Sequence, residues 1–379
     1  MIKMLSAYTL EADDAEYALS EILEQLDLEH NALRHSAGFL FCHPDFIGTG
    51  VAQSIAKALP FEVVGGTTIC SLTEGLRDLT GLSISILTSD TVEFSAASLP
   101  GGHTPEDIVK VYRDGVGTRS GIPSLMFPFA TSAIGDFAVR TLDELTDNRT
   151  PLFGTNTVDN TADSSQAVAL HNETTFHDGL ALLMAWGDFN ASFYVTEISA
   201  DFIQKQRAII TKSKEHIIMS INDMCAADYL ASIGISRDQA VGNLHTIPFI
   251  LDYGDGTPPV ARVFYDITPE GHIITGGLMP ENATVAVGSL EKDDITRLIN
   301  ETIEKALVSG KSRGLLLFPC VSHFWALEEP PFALIQDKLD HVLPYHVFFS
   351  GGEICPVYDT KGQMRNRFHS YTCVACSIE

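Results

Sequence analysis

YHVFFSGGEIC, Tyr345 to Cys355, runs through apolar residues and then spends two glycines and a glutamate on leaving them. An apolar run broken by Gly-Gly reads as a buried strand whose backbone then turns with positive φ or approaches a neighbour closely. Working outward, the stretch has two counterparts: FEVVGGTTIC at Phe61 to Cys70 and PLFGTNTVD at Pro151 to Asp159. Aligned without gaps, GGTTIC, FGTNTV and SGGEIC put Gly66, Gly154 and Gly351 in one register.

Each stretch closes a similar series. At the N-terminal end a short strand, Met4 to Tyr8, precedes a helix over Ala15 to Leu26 with Leu19, Ile22, Leu23 and Leu26 on one face. GFLFCHP (Gly38 to Pro44) is a more apolar strand, and a second helix, Val51 to Leu59, stops at Pro60. At the C-terminal end the same order reads Thr284 to Val287, Ile295 to Leu307, GLLLFPC (Gly314 to Cys320) and Phe332 to Leu343, stopped by Pro344. In the middle it reads Val92 to Ala97, a helix opened by Pro105-Glu106-Asp107, SLMFPF (Ser124 to Phe129) and Ala133 to Leu145. Leu40-Phe41, Met126-Phe127 and Leu317-Phe318 match, and Asp14, Asp107 and Asp294 open the three first helices. The expected fold is α/β, with mixed sheets flanked by helices and built from about three degenerate β-α-β-α-β-β units. Residues 190–260 show no marks of a fourth. Hairpins are expected over Val263 to Met279 and around Asp359 to Gly362, and Asp252 to Pro259 reads as a linker or a hairpin loop.

The chain has 379 residues, with Lys+Arg 24 against Asp+Glu 49, a net charge of -25 spread along it. Such a field repels phosphate backbones and anionic lipid, so neither nucleic acid nor a membrane is an expected partner. No window approaches the roughly 18 apolar residues of a spanning helix, and acids close behind Met1 do not make a signal peptide. Seven cysteines, an odd number in apolar surroundings, fit reduced thiols in a cytoplasmic protein.

If the glycine turns are shared scaffolding, the residues that differ between copies carry the chemistry: Thr67-Thr68, Thr155-Asn156 and Gly352-Glu353. Only Glu353 is charged. The plain reading of the turns is a bulge or sheet packing; the functional reading is that their free N–H groups and these side chains face a ligand. FPCVSHFWALEEPP (Phe318 to Pro331) sets Cys320, His323, Trp325 and Glu328-Glu329 after a buried strand, where open α/β sheets receive ligands. Cys320 with His323 has the composition of a nucleophile and base, but a buried thiol is the plainer reading. Cys373 and Cys376 lie in one strand, three apart and on opposite faces, so they cannot share a zinc ion, and no metal is expected. His43, His323 and His369 lie next to strand ends. GVGTRSG (Gly115 to Gly121) follows a helix and precedes a strand, which makes it a helix stop rather than a dinucleotide loop. No P-loop and no G-x-S-x-G occurs.

These segments, with FHDGLALLMAW (Phe176 to Trp186), IPFILDYG (247–254), ARVFYDITPEGHIITGGLMPENATVAV (261–287) and NRFHSYTC (366–373), resemble the FIST sensory proteins. The resemblance implies an N-terminal FIST domain over 1–235 and a C-terminal one over 236–379. It further implies an intracellular sensor of a small molecule, with an amino acid suspected, signalling through a separate partner such as a histidine kinase or a cyclic-dinucleotide enzyme. No catalytic residue follows from it. Some members bind haem, which needs an axial His or Cys in an apolar pocket; the alternatives are therefore a haem-binding gas sensor or an enzyme using Cys320. The expected ligand-binding set is Gly66, Thr67, Thr68, Gly154, Thr155, Asn156, Cys320, His323, Trp325, Gly351, Gly352, Glu353 and His369, with Trp325 as an apolar wall. One departure stands out: such proteins usually carry an arginine three residues after the strand cysteine, and His323 here loses that permanent cation.

Overall fold

The apolar strands fall into three mixed sheets that share one strand order. The first runs Ile2–Thr9, Leu82–Ser89, His35–Cys42, Glu62–Thr67; the second Glu93–Pro100, Gly179–Trp186, Leu125–Ala130, Gly154–Asn156; the third Ala191–Val195, Cys373–Ile378, Gly314–Pro319, Tyr345–Phe348. In each, the first three strands pair antiparallel and the last pair is parallel. The structure is a computed structural model that describes the chain apart from residues 1, 102–103, 132–133, 162–163, 197, 199–202, 204–206, 238–246, 309 and 328–331.

Each sheet gains a further edge from the next segment of chain. The strands at 169–171 and 174–176 follow the last strand of the second sheet but pair with the first sheet at Val64 to Gly66. The hairpin Glu353–Tyr358 and Met364–His369 leaves the third sheet and pairs with the second at Gly154 and Thr155. Ser71–Leu72 leaves the first and pairs with the third at Val347 and Phe348. The exchange is cyclic, so no sheet is completed by its own chain segment alone.

Strand alternation sends one face of every sheet inward and one outward. Phe39 and Phe41, Phe127 and Phe129, and Leu316 and Phe318 meet in a single core, whereas Leu40, Met126 and Leu317 pack outward under separate helices. The inner core is aromatic: Phe41 stacks on Phe348 with centroids 3.4 Å apart, and Phe348 lies 4.0 Å from Phe318. His346, fully buried, accepts or donates to Ser83 and Ser85 Oγ at 2.6 and 2.8 Å and joins the third sheet to the first. Burial pushes its pKa down to about 3, so it is a neutral imidazole there.

A second β-structure is inserted in the chain between Ala191–Val195 and Gly314–Pro319 of the third sheet. It comprises Ala208–Lys214, Ile217–Ile221, Phe249–Asp252, Val260–Arg262, Phe264–Ile267, Ile273–Thr275 and Thr284–Val287, with its own core around Ile210, Phe249 and Phe264. Arg262, fully buried and donating to Tyr253 Oη of its own unit (2.8 Å), fastens it to the second sheet by donating to Asp136 Oδ2 (3.4 Å) on the helix Gly135–Leu145 and to the Phe368 carbonyl.

The α/β class with mixed sheets is what the sequence led one to expect, but three details differ. Thr284–Val287 belongs to the inserted sheet; the first strand of the third sheet is Ala191–Val195, inside the region that showed no marks. The register of the glycines also shifts. Thr68, Thr157 and Ser350 are equivalent, each donating its N–H to the neighbouring strand, at Cys42, Ala130 and Pro319. Gly65 therefore matches Gly154, and the third sheet has Val347 there. The shared requirement is close packing: a Cβ would stand 1.9 Å from the Leu40 carbonyl oxygen at Gly65 and 2.0 Å from that of Pro128 at Gly154. Gly351 and Gly352 serve a different end, the exit into the exchanged hairpin, where Gly352 (φ 150) lies against the Phe368 ring. Last, the segment after Cys320 is a helix, Val321–Leu327, and not a loop. Glu328-Glu329 lie outside the described residues.

Candidate functional site

Glu353 opens the exchanged hairpin between Thr155 on one side and His369 on the other. It is fully buried. Two hydroxyls converge on its carboxyl group: Ser350 Oγ donates to Oε1, and Thr372 Oγ1 donates to Oε2 at 3.0 Å. The Cys320 thiol is a third donor. Burial outweighs these donors and raises the Glu353 pKa to about 8, so the group is mostly a neutral acid at pH 7.

Cys320 sits at the end of the third sheet's central strand, bridged to Ser350. Burial and the nearby Glu353 push its thiol far above the usual range, which removes the thiolate a nucleophile needs. His323 is fully buried beside the Tyr371 backbone, and burial lowers its pKa to about 4. Neither ring nitrogen has a hydrogen-bond partner among the described residues, so Cys320 and His323 do not form a nucleophile and base pair. Tyr371, with φ 55, turns the chain here, and its buried hydroxyl is also without a described partner.

His369 is neutral as well: burial first, then the charges of Arg262 and Arg367, lower its pKa to about 3. Its Nε2 lies 3.2 Å from the Cys355 carbonyl. A carbonyl only accepts, so Nε2 carries the proton and Nδ1 is left as a bare acceptor. Both His369 and Thr372 line a cavity of about 300 Å³. Its other walls are Phe193 and Val195 of the third sheet's edge strand, Pro258, Pro259 and Ala261 of the inserted sheet, and Val357 of the hairpin, with Arg207 contributing a guanidinium. Arg207 is itself paired with Asp252 at 3.3 Å. Thr372 is thus the partition between this cavity and the Glu353 carboxyl.

The structure gathers Cys320, His323, Gly351, Gly352, Glu353 and His369 of the expected set into one region. Thr67, Thr68 and Thr155 spend their hydroxyls, and Asn156 its backbone N–H and carbonyl, on the backbone that ties the exchanged strands. Thr67 Oγ1 accepts from Val168 N at 2.9 Å, Thr68 Oγ1 donates to the Phe349 carbonyl at 2.8 Å, and Thr155 Oγ1 donates to the Gly352 carbonyl at 3.2 Å. Gly66 and Gly154 pack against neighbouring backbone, and the Asn156 amide packs against Gly135. Trp325, 38% exposed on its short helix, does not line this cavity. Ser350, Thr372 and Arg207 were missed: a hydroxyl or surface arginine carries no local signal of where long-range pairing will bring it. Cys373 and Cys376 face opposite cores, as strand alternation requires. No group of three or more metal-ligating side chains occurs among the described residues, and no helix there is long and apolar enough to cross a membrane.

Residues 36–224 match the FIST N domain and residues 225–356 the FIST C domain. No protein in the curated set is similar enough to match.

Proposed function

From the premise that the chain belongs to the FIST family, whose domains are recognised as sensory domains binding small ligands, we propose that it is a sensor of a small polar metabolite held in the cavity above Thr372 and His369. One observation carries this reading: the cavity's floor consists of the side chain that hydrogen-bonds Glu353 and a neutral histidine with a bare Nδ1. Mostly apolar walls with few convergent polar groups are the usual make-up of a ligand site. An apolar amino acid, or a metabolite like it, suits the lining: a carboxylate toward Arg207, a donor group toward His369 Nδ1, and an apolar body against the prolines and Val357. About 300 Å³ lies at the small end of ligand cavities, which favours such a metabolite over a porphyrin. In this reading the signal passes to a separate partner, such as a histidine kinase or a cyclic-dinucleotide enzyme, and family membership is the support for that step.

A ligand that binds only the folded state raises thermal stability, by about 2.7 kcal/mol at a hundredfold excess over Kd. The test is a melting scan against the amino acids and related metabolites, with Thr372→Val and His369→Gln beside the parent. The expected result is a shift for one ligand class that both variants lose. No shift for any class, or a shift that both variants retain, overturns the reading, as does a Soret band in the purified protein.

A further inference from the structure

A second cavity, of about 400 Å³, lies on the other side of the same hairpin. The helix Gly135–Leu145, the strand Met364–His369 and the inserted sheet enclose it, and it is richer in charge than the first. Several of those charges are already engaged. Asp136 pairs with Arg262 and accepts the Leu278 N–H at 2.7 Å; Arg367 pairs with Asp255 and lies over the Tyr253 ring, 4.4 Å from its centroid. Three carboxylates, Asp143, Glu215 and Glu281, have no ion pair among the described residues, against one such cation, Arg140, which stacks on Phe137.

Asp143 is the informative one. It is 8% exposed, and the Asn366 amide donates to its Oδ1. Asn366 is itself fixed, donating to the Thr150 carbonyl at 2.9 Å and accepting from Leu152 N at 2.8 Å. The carboxylate is therefore held in one orientation against the cavity with no cation in ion-pair contact among the described residues. Burying a carboxylate unpaired is costly, and an asparagine would serve the Asn366 contact equally well. Burial also raises its pKa, to about 6, although the Asn366 bond and the charges of Arg367 and Arg365 oppose it. Buried acids with displaced titration in a cleft mark functional sites more often than chance.

We propose that this cavity is a second binding site, which takes a small organic cation such as a primary amine, with Asp143 as its buried counter-ion and Glu215 and Glu281 at its rim. The cavity shares its wall with the first: Asn366, Arg367 and Phe368 face this one, while Val357 and His369 face the other. Occupation of either site therefore bears on one hairpin, the hairpin that begins at Glu353.

The probe is putrescine, compared with sodium chloride at equal ionic strength, because a chain of net charge -25 attracts any cation. The expected result is a rise in melting temperature with putrescine beyond the salt control. Asp143→Asn should lose that rise while melting no lower than the parent without amine. The double variant Glu215→Gln, Glu281→Gln, at exposed positions where folding is not at risk, should weaken the response at least tenfold. An equal shift with sodium chloride, a full response in Asp143→Asn, or stabilisation by magnesium but not by putrescine overturns the proposal. The amino-acid scan of the first cavity is read independently of all three outcomes.

Discussion

Replacing Glu353 by glutamine tests the central feature of the site most directly. An ordinary glutamate titrates near 4.5, and burial moves this one to about 8. Between those values the folded state holds a proton that the unfolded chain has released, so stability must fall as pH rises. The slope is about 1.4 kcal/mol per pH unit at its steepest. From pH 5 to pH 8 the loss from this single group comes to about 3 kcal/mol. In a chain of this length the unfolding entropy converts that into a melting shift of about 4 °C. The glutamine that replaces it cannot ionise, yet its amide keeps an oxygen for Ser350 and a donor for the Thr372 hydroxyl. The other titrating groups are common to both proteins and cancel in the difference. Urea or thermal melts of parent and Glu353→Gln at pH 5, 6, 7 and 8 should therefore diverge, with the variant gaining steadily toward high pH. Parallel pH profiles would refute the claim that Glu353 is buried as an acid without a compensating cation.

Gly65→Ala should cost about 3 kcal/mol or more, since its Cβ would strike the Leu40 carbonyl and its φ is 149; Gly254→Ala, at φ 70 in open space, should cost only about 1 kcal/mol, and equal losses in denaturant melts would contradict the packing argument. Native-state alkylation at neutral pH should label Cys225, the one partly exposed cysteine, and spare Cys320; mass spectrometry showing Cys320 modified at a similar rate would restore the enzymatic reading. Arg262→Leu should destabilise the protein by about 3–5 kcal/mol, because Asp136 and the Phe368 carbonyl lose a buried guanidinium, and a melt unchanged from the parent would show that the inserted sheet is held by other contacts.

The parts of the fold that could be read from the chain are those written in local periodicity. Leu40-Phe41 and Leu317-Phe318 were matched correctly, and Met126-Phe127 was two residues from its true counterpart, Pro128-Phe129. A slip of two leaves every side chain on its proper face, so the inner and outer cores survived the error. A slip of one does not: Gly66 was set against Gly154, although Gly65 carries the close packing. The third sheet failed for a different reason. Its edge strand, Ala191–Val195, is separated from the helix Lys292–Val308 by the whole inserted sheet. Thr284–Val287 stood in the place where a strand was wanted, with acids and a helix behind it. Pattern alone cannot tell an adjacent strand from one that belongs to another sheet.

The same limit governs the site. Glu353 was legible because a lone carboxylate after an apolar strand and two glycines has no solvent to explain it. What it faces depended on pairings with sequence separations that no window spans: Thr155 lies nearly two hundred residues upstream, and Thr372 reaches the carboxyl only because Tyr371 turns the chain with φ 55. The glycine turns were expected to line one ligand pocket together, yet their recurrence follows from the cyclic exchange, which needs backbone to approach backbone at each handover. Thr68 and Thr155 sit at two of those handovers: the Thr68 hydroxyl donates to the Phe349 carbonyl of the receiving sheet, and the Thr155 hydroxyl faces the Asn156 and Gly352 carbonyls. The handover at Thr155 departs from the others in one respect: its incoming strand begins with an acid, and the Ser350 and Thr372 hydroxyls converge on that buried carboxyl group. That difference, and not the glycines, is what sets Glu353 apart, and under the proposed function it is the group through which an occupied cavity would be felt.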